Sequence, residues 1–353
     1  MKKLFFLSAT LALIVLLISW LAGYPTWQGP AAVLFFILLA LGLGTAERWN
    51  RLAFTAWILV AVAAAMYYPA PFRELAGFDM KKLIIPLLML IMFGMGTAMH
   101  ARDFMGVIKM PKGVLVGLLC QFTIMPFVGY GLAKLFRFPP EIAAGIILVG
   151  CSPSGLASNV MAFIARANLA LSLTLTAIAT LLAPFITPAL MALLAGELVP
   201  IDTWGMMLSI LRIVILPVAA GLLFNHFLYH RFSRLANAMP MISMAGIALI
   251  IAVITAAGRD SLLTIGLPLL LAALLHNSAG YLFGYLGSRL SGLDERSCRT
   301  IALEVGLQNS GLASGIAMEM GRIATMGLAP AIFGPLMNVT GSSLASWWRK
   351  AEE

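Results

Sequence analysis

Glu304 has the most chemistry to offer in this sequence. It stands in the apolar run 300–320 with no Lys or Arg close by within that run. An ionised carboxylate at bilayer depth costs several kcal/mol unless something compensates it. Glu304 is therefore protonated, paired with the distant Arg212, or bound to a cation. Neutral oxygen groups fall at useful spacings around it. Gln308 lies four residues on and shares a helical face if the stretch is helical, and Asn309 and Ser310 follow. Elsewhere Ser158 and Asn159 are adjacent, Ser172 and Thr176 are four apart, and Gln121 is an isolated amide in an apolar run. Hard cations take several carboxylate and carbonyl oxygens, and by analogy this set suits sodium. Soft ligands are missing from it, which argues against a transition metal. Blander roles compete. Ser172 and Thr176 can bond the carbonyl one turn back, and Gln121, His276-Asn277 and Asn338 can hydrogen-bond between helices. Arg212 can snorkel, and Glu319 can sit at an interface.

These residues must be carried by membrane helices. Of 353 residues, 61% are apolar and 10% charged, against about 25% charged in soluble domains. Mean hydropathy is +0.98. This excludes a soluble enzyme, a disordered chain and a secreted disulfide scaffold. Apolar runs at 4–22, 31–46, 52–69, 83–100, 113–135, 142–165, 168–195, 204–228, 240–257, 262–287, 300–320 and 326–347 predict twelve spans. The first is read as a retained helix and not a signal peptide, because it is long for an h-region and Trp20-Leu21-Ala22 is a poor cleavage site. If the N-terminus is cytoplasmic and every run crosses, fifteen of the 23 basic residues fall on the cytoplasmic side and seven outside. This ratio predicts both termini on the cytoplasmic side of the cell's inner (plasma) membrane. The net charge of +9 is then read as topology and contact with lipid headgroups, not nucleic acid. The three cysteines form no CxxC pair and are read as buried apolar residues.

Ser-Gly-Leu-Ala-Ser occurs twice, at 154–158 and 310–314. With the first two spans set aside, each copy falls in the fourth span of a five-span half. Five is odd, so the halves would enter the membrane in opposite directions, the inverted-repeat plan of many secondary transporters. Both spans are poor continuous helices: the first holds Gly150-Cys151-Ser152-Pro153-Ser154-Gly155, the second Glu304-Val305-Gly306-Leu307-Gln308-Asn309-Ser310-Gly311. Matched interruptions of this kind point to a midplane binding site. Half-helices starting at such breaks present amide donors and positive dipole ends, which suits an anion. The expected fold class is an all-α integral membrane protein: an inverted-repeat secondary transporter of two five-helix halves with two broken crossing helices, plus two extra N-terminal helices. The expected divisions are 1–48 (extra helices), 49–198 (first half), 199–348 (second half) and 349–353 (cytoplasmic tail).

The two interrupted strings, with Phe93-Gly94-Met95-Gly96, Gln121-Phe122, Ala195-Gly196-Glu197 and His276-Asn277, resemble the bile acid:sodium symporter family over residues 50–347. The resemblance implies a panel domain, a core domain and two sodium ions. One ion would be held by Ser158, Asn159, Ser172, Thr176 and Glu304, the other by Gln121, Glu304, Val305, Leu307 and Gln308. Asn309, Ser152, Ser154 and Asn338 would face the substrate, a bile-acid-like or small pantoate-like anion. The family's first break commonly reads Gly-Cys-Cys-Pro-Gly-Gly-Thr. Here Ser152, Ser154 and Leu156 replace a Cys, a Gly and the Thr, and Met337 precedes Asn338. These departures fall on the substrate side. The expectation is a sodium-coupled symporter, no enzyme, with no cofactor beyond the coupling ion. Proton coupling at Glu304 is the alternative. Oligomeric state and the identity of the anion are left open.

Overall fold

The computed structural model describes residues 2–46, 52–228 and 231–350. The expected division at 48/49, Arg48, Arg51 and residues 351–353 of the expected tail lie outside the described residues.

Each predicted run is occupied by a helix or by a broken pair of helices. In chain order these are α1 (Lys2–Leu21), α2 (Pro25–Gly44), α3 (Ala53–Tyr67), the short α4 (Ala70–Arg73), α5 (Ile84–Thr97), the short α6 (Ala101–Phe104) and α7 (Gly106–Lys109), α8 (Pro111–Leu135), α9 (Pro140–Cys151) and α10 (Leu156–Ile164). Then follow α11 (Leu169–Ala195), α12 (Thr203–Ile210), α13 (Leu216–Leu228), α14 (Ser233–Ala257), α15 (Arg259–Leu290), α16 (Glu295–Gly306), α17 (Ser310–Glu319) and α18 (Leu328–Lys350). Among the described residues, seven segments are long and apolar enough to cross a bilayer by length and composition. Three features were not expected from the sequence. A two-residue hairpin pairs Glu74–Leu75 with Phe78–Asp79, a 3-10 turn (Met80–Leu83) leads into α5, and one π-turn, Leu211–Ile215, joins α12 to α13.

Two groups of helices pack mainly among themselves. α8, α9, α10, α11, α15, α16 and α18 form one, with α17 seated on α18; α3, α5, α13 and α14 form the other. α1 packs on α2, and α2 on α3. The face of α1 bearing Leu7, Leu11, Ile14 and Ile18 is exposed, as a lipid-facing helix requires. Asp294 caps α16 by accepting from the Ser297 amide at 3.0 Å and the Ser297 hydroxyl at 2.6 Å. That hydroxyl holds the Asp294 carboxyl below the usual carboxylate range, so the cap is ionised at neutral pH.

The contact between α5 and α13 depends on glycine. A Cβ on Gly96 would strike the Val218 carbonyl, and one on Gly221 the Phe93 carbonyl. Neither backbone can withdraw without moving its helix. Gly96→Val is expected to cost about 1–3 kcal/mol by overpacking, seen as a lower melting temperature of the purified protein with helix content unchanged.

Candidate functional site

The site begins with two helices that stop early. Pro153 has no amide to donate and biases Ser152 to extended backbone, where it sits at φ −78°, ψ 150°. α9 therefore ends at Cys151 and α10 starts only after Gly155. In the second break α16 ends at Gly306, and Asn309 starts α17 by accepting the Leu312 amide on its side-chain oxygen at 2.9 Å. Such ends leave backbone groups without intrahelical partners, and these are prohibitive in a bilayer unless satisfied inside the protein. The breaks satisfy one another. The Gly155 amide donates to the Leu307 carbonyl at 3.2 Å and the Asn309 amide to the Pro153 carbonyl at 2.8 Å, an antiparallel bridge centred on Ser154 and Gln308.

Glu304 is 2% exposed, and its hydrogen-bond partners among the described residues are hydroxyls. Ser154 donates to Oε2 at 2.5 Å, Thr176 reaches Oε2 at 3.0 Å and Ser172 reaches Oε1 at 2.5 Å. Asn159 Oδ1 lies 2.8 Å from the Ser172 hydroxyl and 3.2 Å from that of Thr176. Ser158 sits 3.4 Å from Thr176 and is hydrogen-bonded to the Gly155 carbonyl at 2.7 Å. Ser172 and Thr176 each have one proton and two acceptors in reach. Oxygen lone pairs thus outnumber protons in a buried cluster, the electrostatic condition that a cation relieves. The structure brings Ser158, Asn159, Ser172, Thr176 and Glu304 together in this cluster.

A second polar group adjoins the breaks. Gln121 Nε2 donates to the Ser152 carbonyl at 3.0 Å and to Gln308 Oε1 at 2.7 Å. Gln308 Nε2 donates to the Val305 carbonyl at 2.6 Å. Gln121 Oε1 is buried with no hydrogen-bond partner, an orphaned acceptor beside the carbonyls of the break.

Next to both groups lies a cavity of about 220 Å³ between α3, α5 and α14 on one side and the breaks and α18 on the other. Gln308, Asn309, Ser310, Ser314, Ser243 and Asn338 give it its polar character, and no Lys, Arg or His lines it. Because the Asn309 oxygen is engaged in the cap, its NH2 is the group left to donate to an anion. A larger cavity, about 1160 Å³, adjoins through Leu156, Ala157, Ser243 and Ile247 and extends to His100 and His226, with Asn159 in its wall.

Several expectations need correction. Ser152 and Ser154 are not in the small cavity: the Ser152 hydroxyl bonds back to the Leu148 carbonyl at 2.8 Å, and that of Ser154 turns to Glu304. Asn338, by contrast, does line the cavity, from within α18, with its NH2 on the Gly334 carbonyl at 3.0 Å. Arg212 does not compensate Glu304. It pairs with Glu319 at 2.9 Å, its side chain largely exposed. Sequence reasoning missed two hydroxyls. Thr187 donates to the Cys151 carbonyl at 2.7 Å, and Thr340 donates to Asn277. Nothing in their local sequence marks them out from hydroxyls that bond one turn back.

Apolar helices of membrane length around a buried centre of broken helices, clustered oxygens and an adjoining cavity define a multi-pass helical membrane transporter. Comparison with known proteins agrees. The chain belongs to the sodium bile acid symporter family, whose profile matches residues 85–265. It is 40% identical over 298 residues to the sodium-dependent transporter YocS of Bacillus subtilis (strain 168), covering 84% of this chain and 91% of that protein. It is 35% identical over 299 residues to a probable chloroplastic sodium/metabolite cotransporter, BASS1, of Arabidopsis thaliana, covering 85% of this chain and 74% of that protein. The rice BASS1 protein (Oryza sativa subsp. japonica) is 34% identical over 304 residues, 84% of this chain and 72% of its own. These relatives are named as transporters, not enzymes. Sodium stands in all three names and a proton in none, so proton coupling gains no support.

Gln121→Leu removes both donors at the crossing and leaves the Ser152 carbonyl and Gln308 Oε1 buried without them. It is expected to destabilise the ion-free protein by about 1–3 kcal/mol, read as a drop in melting temperature in choline buffer.

Proposed function

We propose that the protein is a sodium-coupled symporter that imports a small organic anion by alternating access. The observation that carries this reading is Glu304 held among neutral oxygens, with no cationic side chain as partner among the described residues, at a crossing whose breaks also line a cavity of amides and hydroxyls. One sodium would occupy the cluster of Ser158, Asn159, Ser172, Thr176 and Glu304. A second would take Glu304 and the Gln121–Gln308 group with the carbonyls of Val305 and Leu307, where the orphaned Gln121 oxygen is a ready ligand. Sodium neutralises Glu304 and stiffens the crossing, and the anion then binds at Asn309 and Asn338 and the starts of α10 and α17. A volume of about 220 Å³ favours a small hydroxy acid of the pantoate type over a steroid, whose body would have to lie in the larger cavity.

The matched breaks and their antiparallel pairing support the plan of two inverted halves. The large cavity opens toward His100 and His226, the end that the distribution of basic residues assigns to the cytoplasm. At the other end the Arg212–Glu319 pair bridges the two helix groups. Together these features support an inward-facing conformer in the plasma membrane, with both termini cytoplasmic. Net uptake requires that sodium or the anion bind one facing more tightly than the other.

Purified protein should melt at a higher temperature in sodium than in potassium or choline, and Glu304→Ala should lose this difference. A ligand at a hundred times its Kd stabilises by about 2.7 kcal/mol. A sodium effect that survives in Glu304→Ala would refute the assignment. A pH-dependent shift without a sodium effect, lost in the variant, would replace sodium by protons.

A further inference from the structure

Asn277 lies midway along α15, fully buried, and belongs to neither proposed ion shell. Its Nδ2 donates to the Gly306 carbonyl at 2.5 Å, and its Oδ1 accepts from the Thr340 hydroxyl on α18. The orientation of the amide is forced, because a carbonyl only accepts. Tyr281, one turn along α15, touches Thr340 at 3.2 Å, and its ring fills the space a Cβ on Gly306 would need.

Three carbonyls end α16 and begin the break, and each has its own donor. Val305 accepts from Gln308 Nε2, Gly306 from Asn277 and Leu307 from the Gly155 amide. Of these, Gly306 has the freest backbone, since the Tyr281 ring excludes any side chain there. Rotation about the Gly306 backbone bonds would turn the Val305 and Leu307 carbonyls relative to each other. The sequence register gives Asn277 a counterpart. Gln121 stands 33 residues ahead of Ser154, and Asn277 the same 33 ahead of Ser310, in the two copies of Ser-Gly-Leu-Ala-Ser. Both amides donate to a backbone carbonyl where a half-helix stops, Gln121 to Ser152 and Asn277 to Gly306.

We propose that Asn277, oriented by Thr340, is a positioning residue that sets sodium affinity by fixing the Gly306 peptide, so that the flanking carbonyls and Glu304 are held ready for the ion. This rests on the sodium reading above. Groups that orient metal ligands from outside the coordination shell typically change affinity about 10–100-fold when removed.

The test is a sodium chloride titration of the melting temperature, at constant ionic strength with choline chloride, on the purified full-length protein. Asn277→Leu keeps the volume and removes both hydrogen bonds; its half-saturating sodium concentration is expected to rise about tenfold or more. Thr340→Val keeps the shape and removes only the hydroxyl; a smaller rise is expected. Thr45→Val is the control. It removes a hydroxyl that bonds the Gly42 carbonyl at 2.9 Å at the end of α2, a helix outside both helix groups, and should leave half-saturation at the wild-type value. If Asn277 serves packing alone, its variant melts lower in choline but titrates as wild type, which overturns the proposal. If Asn277→Leu does not fold, Thr340→Val decides, and wild-type half-saturation in it overturns the proposal as well. Absence of a sodium shift in the wild type would instead refute the sodium reading itself, and this inference with it.

Discussion

Two helices that stop in the middle of an apolar protein must find partners for their peptide groups, and here they find each other. Water is not at hand to hydrogen-bond an exposed amide or carbonyl at that depth. The Gly155–Leu307 and Asn309–Pro153 hydrogen bonds close the most exposed of these groups, and Gln121, Thr187 and Asn277 take the Ser152, Cys151 and Gly306 carbonyls. Neither break is satisfied by its own segment. The crossing therefore forms only when both segments are in place, and whatever moves one moves the other.

The same constraint builds the polar centre. Because the breaks cross, Glu304 on α16 comes to rest among hydroxyls from the first break and from α11: Ser154, Ser172 and Thr176. A group of this kind is costly when half-satisfied. With more acceptors than protons, the cluster is incomplete without added positive charge, and a bound cation would complete it while tying the two breaks together more firmly. Asn309 joins this centre to the cavity. Its oxygen caps α17 and its NH2 remains for a ligand, so the order that an ion imposes on the crossing is felt where an anion would bind. By contrast the exposed Arg212–Glu319 pair is screened, and pairs of this type contribute about 0–1 kcal/mol. It is strong enough to bias a conformation and weak enough to be broken.

Much of this was legible in the sequence because it depends on residue types that disturb a pattern. A carboxylate in an apolar run, Pro153 between glycines and a repeated pentapeptide all stand out against Leu, Ile and Ala, and they marked α16, the first break and the relation between the breaks. Side-chain direction inside a break was not legible. Helical periodicity fails where the helix does, so Ser154 looked like a substrate group and instead faces Glu304, while Ser152 turns back to Leu148. The roles of Thr187 and Thr340 were hidden for a different reason. A hydroxyl on a membrane helix usually bonds its own preceding turn, as Thr180 does with the Thr176 carbonyl; the packing of α11 against α9 turns Thr187 to the Cys151 carbonyl, and Thr340, which also lies 3.0 Å from the Leu336 carbonyl one turn back, meets Asn277 because α18 packs against α15. The π-turn at Leu211–Ile215 carries no Pro or Gly to announce it.

The two copies of the pentapeptide share a scaffold but not its charge. Glu304 stands six residues ahead of Ser310, and the residue six ahead of Ser154 is Leu148, fully buried in the apolar core. A carboxylate at both places would put two like charges in one low-dielectric centre, each raising the cost of ionising the other. With one carboxylate, the side of the crossing that carries Glu304 supplies the charge and the other supplies neutral oxygens. A first cation would then be drawn to the one carboxylate, and its charge would be matched within the protein. An anion bound beside it meets a centre that is neutral or positive, according to whether one or two cations are present, and neutral amides and helix N-termini are sufficient to hold it. On the proposed function, a cavity for an anion then needs no arginine, lysine or histidine.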